Sequence, residues 1–290
     1  MPQAQASIQQ IAIATPPQMP ATLDVAQQVN TCLVETGFRT ITGYLHDETL
    51  RQLVTDGEID LLIAVGGDGT MLRAGHLCGP AKVPILGINM GRFGFLIEVQ
   101  VDQWRKLIPR LKSGEYWLEQ RMMLAVAHWR DHSLLGNWDA LNEVAVGRSE
   151  YLRPVHLSAY LDGRFLTTYV ADALIASTAT GSTAYALAAG GPILPPELRN
   201  ILLVPVAPHL SVERAIVLAE GSTIGITVIS EHEASCSVDG QPPMTVLKGD
   251  RIEARASEHT VQFVRFQDPG YFYRYLTPHM SQNPSTGNLR

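Results

Sequence analysis

Two rhythms divide the chain. Through the first hundred residues, short apolar runs alternate with stretches in which apolar side chains recur every three or four positions. IQQIAIAT (8–15) reads as a first strand that stops at Pro16-Pro17. Met19 to Glu35 carries helical spacing and stops at Gly37. DLLIAV (60–65) and VPILGIN (83–89) are continuous apolar runs, the mark of strands buried on both faces. Strands separated by helix-length segments imply βαβ units and a parallel sheet. Val101, Trp104, Leu107, Ile108 and Leu111 fall on one helical face, and Pro109 is expected to kink or end that helix.

After Gly114 the period shortens. MMLAVAHW (122–129), VHLSAYL (155–161), STIGITVIS (222–230) and HTVQFVRF (259–266) are strand-like, broken by turns such as Asp162-Gly163 and Asp239-Gly240. Helical spacing is scarce here, except just after Ser182. The expectation is an α/β plus all-β chain: a parallel α/β domain over 1–114, a β-rich domain over 115–270, and a C-terminal segment over 271–290. The tail SQNPSTGNLR has the polar composition of a disordered terminus.

Composition narrows the function classes. With 46% hydrophobic and 17% charged residues, 290 residues can bury sizeable cores. The net charge of −6 and the lack of any Lys/Arg block argue against a nucleic-acid partner. Lysine occurs only at 82, 106, 112 and 248, so a bound phosphate must rely on backbone N–H groups, arginine or a metal. Cys32, Cys78 and Cys236 are widely spaced and odd in number, which indicates neither a disulfide framework nor a zinc site. MPQAQASIQQ has no basic and apolar regions of a signal peptide, and no apolar run reaches the ~18 residues of a membrane span. No membrane partner and a cytoplasmic location are expected.

The chemistry begins where DLLIAV runs into Gly66-Gly67-Asp68-Gly69-Thr70, followed by the helical MLRAGHL. Three glycines between a buried strand and a helix suit phosphate binding. The backbone can approach closely, and N–H groups at the helix start point at the anion. No Gly-Lys-Ser/Thr follows, so this is not a Walker A loop. Leu72 stands where GxGxxG needs its last Gly or Ala, so it is not the dinucleotide fingerprint. A tight turn with Asp68 as helix cap is the plainer alternative. Against it stand the surplus of glycines and the location at the carboxyl end of a parallel strand, where open α/β sheets bind ligands.

A second stretch, STATGSTAYALAAGG (177–191), has no charge and little bulk. Its composition fits a flexible linker, but it follows the strand-like DALIAS and can start a helix at Ser182. Ser182 is in neither a GxSxG elbow nor an SxxK motif, which argues against a serine hydrolase. His128 and His132 have no Glu between them and do not form a zincin pair.

GGDGT after a buried strand resembles the superfamily of NAD kinases, diacylglycerol and sphingosine kinases and 6-phosphofructokinases. Four further segments resemble NAD kinases in particular. Gly87-Ile88-Asn89 with Gly91 and Gly94-Phe95-Leu96 is similar to their GINxGxxGFL run, and Leu141-Asn142-Glu143-Val144 to their NE motif. DALIASTATGSTAYALAAGGP (172–192) resembles their DGLIxSTPTGSTAYxLSAGGP, and Asp239-Gly240-Gln241 their DGQ turn. Order and spacing agree from about residue 60 to 270, whereas the first 55 residues carry no alignable motif. Ala173 and Ala179 stand where the family usually has Gly and Pro, and Ala171 where a small residue or Ser is common. If the Gly-to-Ala site required positive φ, alanine would be strained there.

The resemblance implies an NAD kinase-like fold, with a Rossmann-like N-terminal domain and a β-sandwich-like C-terminal one. It implies transfer of the γ-phosphoryl group of ATP to the 2′-hydroxyl of the adenosine ribose of NAD, giving NADP. Asp68 would accept the proton, while Gly66, Gly67, Gly69 and Thr70 cradle phosphate. Arg73 is either a counter-charge or a solvated helix residue. Asn142 and Glu143 would bind the adenosine end of NAD, and Asp172 its nicotinamide end. Gly69, Arg153, Ser182, Thr183, Ala184, Tyr185, Ala188 and Gln241 complete the expected NAD contacts. Gln241 could equally finish a β-turn. Thr183 and Tyr185 are expected to face NAD across from Asp68. Mg²⁺ or another divalent cation would arrive on the ATP phosphates rather than in a protein cage. A homodimer or homotetramer is implied by resemblance alone. Two alternatives are another kinase of the superfamily acting on a lipid or sugar, and a non-catalytic NAD-binding regulator.

Overall fold

The computed structural model describes residues 8–91, 94–149, 153–209, 212–274 and 276, so the tail at 281–290 lies outside the described residues. One compact unit runs to Gln120 and resumes at Val261; the other is Arg121–Thr260.

In the first unit strands and helices alternate as far as β4, after which a second strand precedes the last helix: β1 (Gln10–Thr15), α1 (Ala21–Glu35), β2 (Arg39–Tyr44), α2 (Glu48–Thr55), β3 (Leu61–Gly66), α3 (Asp68–Ala81), β4 (Ile85–Asn89), β5 (Val99–Gln100) and α4 (Trp104–Ser113). The strands lie side by side as β2-β1-β3-β4, all parallel, with β5 also parallel to β4. On one face of this sheet Ile11, Ile13, Leu61, Ile63, Val65 and Ile88 pack against Ala26, Val29 and Leu33 of α1 and Trp104, Ile108 and Leu111 of α4. Every residue of β3 is buried, which is why DLLIAV lacks alternation.

Helix α4 departs from expectation. It runs through Pro109 and ends only at Gly114, whose left-handed φ of 78° closes the last turn. The proline removes one backbone donor, but the buried stripe of Trp104, Ile108 and Leu111 lies on the other residues and holds the helix. Val101 precedes the helix and is exposed.

The second unit is built from β6 (Trp117–Arg130), β7 (Ser133–Ala140), β8 (Glu143–Arg148), β9 (Val155–Leu161), β10 (Arg164–Ala171), β11 (Ala173–Thr178), the short α5 (Tyr185–Ala188), β12 (Ile201–Val206), β13 (Ile216–Leu218), β14 (Ile224–Val228), β15 (Ala234–Val238), β16 (Met244–Val246) and β17 (Arg251–Arg265). One antiparallel sheet has the order β13-β12-β11-β8-β15-β16. Facing it are the antiparallel run β10-β9-β14 with the first residues of β17, and the β6–β7 hairpin. Val144, Val146, Leu174, Ala176 and Cys236 from the first meet Val155, Leu157, Ile224, Ile226 and Ile252 from the second in one core, giving a sandwich. Asp162-Gly163 and Asp239-Gly240 have positive φ at both residues (51° and 76°; 49° and 67°), as tight hairpin turns require.

Strand β11 is buried along its whole length because it is covered twice. Leu174 and Ala176 face the sandwich core, while Ile175 joins Leu202, Val204 and Ala186 of α5 in a small cluster on the other face.

The division differs from the expected bounds of 1–114 and 115–270. The β-rich unit closes at Thr260, and residues from Val261 onward belong to the first unit, where Phe263 of β17 lies parallel beside Ile85 of β4.

Candidate active site

In the first unit the glycine-rich turn leaves the carboxyl end of β3. Gly67 is extended (φ −115°, ψ −172°) and precedes α3, so Asp68 is the first helical residue rather than the cap. Gly66 has no space for a side chain, since a Cβ would sit 2.3 Å from Oγ1 of the buried Thr70. Around Gly67 nothing approaches within 4 Å of such a carbon, and Gly69 is exposed, so the backbone here is open to a ligand. Arg73 is exposed, and its Nη1 lies 3.8 Å from where a Gly69 Cβ would be. It therefore overhangs the turn, with no ion-pair partner among the described residues.

The Asp68 carboxylate is tied to the GFL run. Oδ2 accepts from the Phe95 N–H at 2.8 Å, and Oδ1 from that of Leu96 at 3.3 Å. Asn89 is buried at the end of β4, where its Oδ1 accepts from Gly91 N at 3.1 Å, while Met90 N donates to Gly66 O. GGDGT and GINxGxxGFL thus form one structure at one end of the sheet.

In the second unit three separated segments converge. Asp239, in its tight turn, accepts from the backbone N–H groups of Leu141 (2.6 Å), Asn142 (2.8 Å) and Glu143 (2.9 Å). The carbonyls of the same turn are taken by the end of β11: Thr178 N and Ser177 Oγ donate to Asn142 O, and Thr178 Oγ1 donates to Leu141 O. Gly181 closes the contact, for a Cβ there would lie 2.2 Å from Asn142 O. With its backbone fixed on both sides, the 141–143 turn is a rigid mount for two side chains.

Glu143 is the unusual one. Its side chain is buried, and Oε2 has no hydrogen-bond partner. Burial first, and the nearby Asp239 carboxylate second, raise its pKa to about 8, against the smaller opposing pull of the Tyr185 N–H. The Asn142 amide is half-buried beside it.

The loop after β11 makes one 3₁₀ turn at Gly181–Thr183 before α5 begins at Tyr185, so the regular helix starts later than Ser182. Ser182 is fully buried and its hydroxyl is used internally: it donates to Ala179 O (2.7 Å) and accepts from Leu194 N (2.9 Å). Its donor and one of its lone pairs are thus taken up inside the loop. Thr183 Oγ1 donates to Thr180 O, Ala184 is half-buried, and Tyr185 and Ala188 are exposed. Tyr185 and Ala188 therefore offer surface to a ligand. Gly190 turns the chain at φ 83°.

The remaining expected residues lie elsewhere. Asp172 pairs with Arg148 at 3.3 Å, at the opposite end of β11 from Thr178. Asp172 lies six positions before Thr178, roughly 20 Å along a strand, so the fold does not bring Asp172 to Asn142 and Glu143 within this unit. Arg153 is exposed just before β9. Gln241 is exposed too, and its carbonyl accepts from Ser237 Oγ at 2.8 Å, in keeping with a turn-closing residue. Ala173 is in a strand, with no positive φ, and its Cβ faces Gly147 across the β8–β11 pair. The strain expected from a Gly-to-Ala departure is absent.

Sequence reasoning named Asp239 and Gly94 only as parts of motifs and gave neither a role. The signal for Asp239 was present as an Asp-Gly turn, but nothing in the chain says which backbone it caps.

Residues 11–116 match the ATP-NAD kinase N-terminal domain and residues 141–266 the ATP-NAD kinase C-terminal domain. An NAD kinase of Chloroflexus aggregans is 35% identical over 277 residues, covering 95% of this chain and all of that protein. The chain belongs to the NAD kinase family. It is accordingly a phosphotransferase. An NAD kinase of Heliobacterium modesticaldum is 38% identical over 226 residues, covering 78% of this chain and 80% of its own. Among solved structures, yeast NADH kinase complexed with NADH superposes with a TM-score of 0.83 at 25% identity, covering 99% of this chain and 90% of that one. The NAD kinase of Archaeoglobus fulgidus, in complex with ATP, shares the fold with a TM-score of 0.76, at 24% identity over 94% of this chain and all of that one. The lipid- or sugar-kinase alternative and the non-catalytic one are not favoured. No helix among the described residues is long and apolar enough to cross a membrane.

Proposed function

We propose that this NAD kinase holds the adenosine end of NAD on Asn142, Glu143 and Tyr185, and the phosphates of ATP on the Gly66–Thr70 turn. The observation that carries the reading is the buried Oε2 of Glu143 without a partner. An unmade hydrogen bond on a buried carboxyl group is costly, and a ribose hydroxyl or the adenine amine supplies the missing partner. Thr183, Ala184 and Ala188 present small groups beside it, which lets a flat ligand lie close. Ser182 acts by holding the loop in shape.

On the phosphate side, the main-chain N–H groups of Asp68 and Gly69 at the start of α3 face the anion, those of Thr70 and Met71 being donated to Gly67 O, and Arg73 adds charge. The ATP arrives as its magnesium complex, so the cation belongs to the substrate. Asp68 accepts the proton of the 2′-hydroxyl as the O2′–P bond forms and the bond between Pγ and the β,γ-bridging oxygen breaks. ADP leaves, and NADP carries the new phosphate. Little covalent work falls to the protein, since positioning and charge stabilisation dominate phosphoryl transfer. Asp172, Arg153 and Gln241 remain proposed contacts by resemblance, as do a homodimer or homotetramer and a cytoplasmic location.

The test is incubation of the pure protein with MgATP and NAD, with NADP measured by an NADP-specific dehydrogenase. NADP formation that falls sharply in Glu143→Ala through a raised KM for NAD supports the reading. Unchanged KM in that variant removes Glu143 from the site.

A further inference from the structure

Leu96 is gripped from both ends. Its N–H reaches Asp68 Oδ1 at 3.3 Å, and its carbonyl accepts from Arg265 Nη1 at 3.0 Å. Arg265 is 1% exposed, a costly place for a guanidinium unless every neighbour answers it. The answer comes mainly from one carboxylate: Nε donates to Oε2 of the buried Glu119 at 2.8 Å, and Nη2, which makes no hydrogen bond of its own, lies 2.7 Å from the same oxygen as an ion pair. The guanidinium carbon lies 5.1 Å from the ring centres of both Phe263 and Tyr271. The Tyr271 hydroxyl donates to the Glu119 carboxylate, 3.0 Å from each oxygen. Phe95, whose N–H holds Asp68 Oδ2, is packed at 6.4 Å against Phe272. Nearby, the Glu98 carboxylate accepts from the N–H groups of Phe266 and Gln267.

We infer that Arg265, Glu119 and Tyr271 form a positioning clamp for Asp68. They touch neither the proposed substrate nor the reacting atoms, and act through the backbone of Leu96. The inference rests on the proposed role of Asp68 as proton acceptor. A buried ion pair between two aromatic rings is an expensive way to stabilise a core, since apolar side chains of similar volume would do as well. What the charged pair supplies, and apolar packing would not, is a directed hydrogen bond to one carbonyl. That bond sets the height of the Phe95–Leu96 peptide under the Asp68 carboxylate. A small shift there moves the acceptor relative to the hydroxyl it must meet.

The test compares losses in two backgrounds. Tyr271→Phe deletes one hydroxyl and keeps the ring on Arg265; Arg265→Lys keeps the charge and removes the fork that reaches Leu96 and Glu119 together. Each variant is made in the natural chain and in Asp68→Asn, with kcat and the KM for NAD measured by transfer of label from γ-labelled ATP. Expected is a loss of about tenfold in kcat with KM unchanged in the natural background, the size of one lost hydrogen bond, and no further loss in the Asp68→Asn background. An equal fold-loss in both backgrounds, or none in the natural one, overturns the clamp. Should Arg265→Lys fail to fold, the Tyr271→Phe comparison decides alone. If Asp68→Asn by itself keeps the natural kcat, the role of Asp68 is what fails, and that result is distinct from the others.

Discussion

Gly94 and Asp68 are in such close contact that a β-carbon on Gly94 would stand 2.1 Å from Oδ1 of Asp68. Glycine is required here by space, with no appeal to backbone angle. Gly94→Ala must push either the carboxylate or the Phe95–Leu96 backbone aside. The expected result is a loss of about 10²-fold in kcat, the scale of a 1 Å misplacement, with NAD affinity unchanged by calorimetry. Retention of near-natural kcat would show that Asp68 tolerates displacement and is not the positioned proton acceptor.

Glu143 makes the stability of the second unit depend on pH in a definite direction. Its folded pKa is raised to about 8, above the value of about 4.3 for an unfolded chain. Between those values the folded state holds a proton that the unfolded state has released, so stability falls as pH rises through this window. Glu143→Gln removes the term. Denaturant melts of the two proteins should therefore diverge from pH 5 to pH 8, the variant gaining on the order of a few kcal/mol, and run parallel above that. A constant gap across the range would contradict the assignment.

Ser182→Ala separates scaffolding from ligand contact. Losing the hydroxyl leaves Ala179 O and Leu194 N in a buried place without it, at a cost of about 1–3 kcal/mol. Thermal unfolding should show the drop, while the folded fraction keeps its KM for NAD within about twofold, since a role confined to the scaffold removes no substrate contact. A large rise in KM with unchanged melting temperature would put the hydroxyl on the substrate instead.

Gly147 and Ala173 form a matched pair across β8 and β11. A Cβ on Gly147 would meet the Ala173 Cβ at 2.7 Å and the Asp172 carbonyl at 2.8 Å. Gly147→Ala should destabilise by about 1–3 kcal/mol, as overpacking does. Ala173→Gly in that background should recover part of the loss, with the remainder set by the carbonyl. Additive effects in chemical denaturation would mean that the two residues do not share this space.

The strands that carry the site were legible because burial on both faces leaves an unmistakable apolar run: β3 and β11 are examples. The glycine-rich turn was legible for a related reason, since close backbone approach admits few residue types. Strand β2 and helix α2 were not anticipated. β2 is only half-buried, with an alternation too shallow to read, and α2 spans barely two turns. Pro109 misled because a propensity for ending helices is weaker than three buried side chains pulling the other way. The local motifs showed which residues matter but not which backbone each one holds. Asp239 looked like half of a turn, yet its carboxylate organises residues nearly a hundred positions earlier. Arg265 carried no motif at all; long-range partners such as Leu96 and Glu119 leave no spacing for a sequence to reveal.

The chain leaves its first unit after Gln120 and returns to it at Val261. Synthesis on a ribosome proceeds from the N-terminus, and domains fold largely as they emerge. The Asp68 turn is therefore made early, while Arg265 and Tyr271, which hold it, are made only after the whole inserted unit. The inserted β-rich unit can finish folding while the first is still incomplete. A nascent chain not yet past the inserted unit would carry GGDGT without its support, so competence for phosphoryl transfer would follow the synthesis of the β-rich unit rather than precede it.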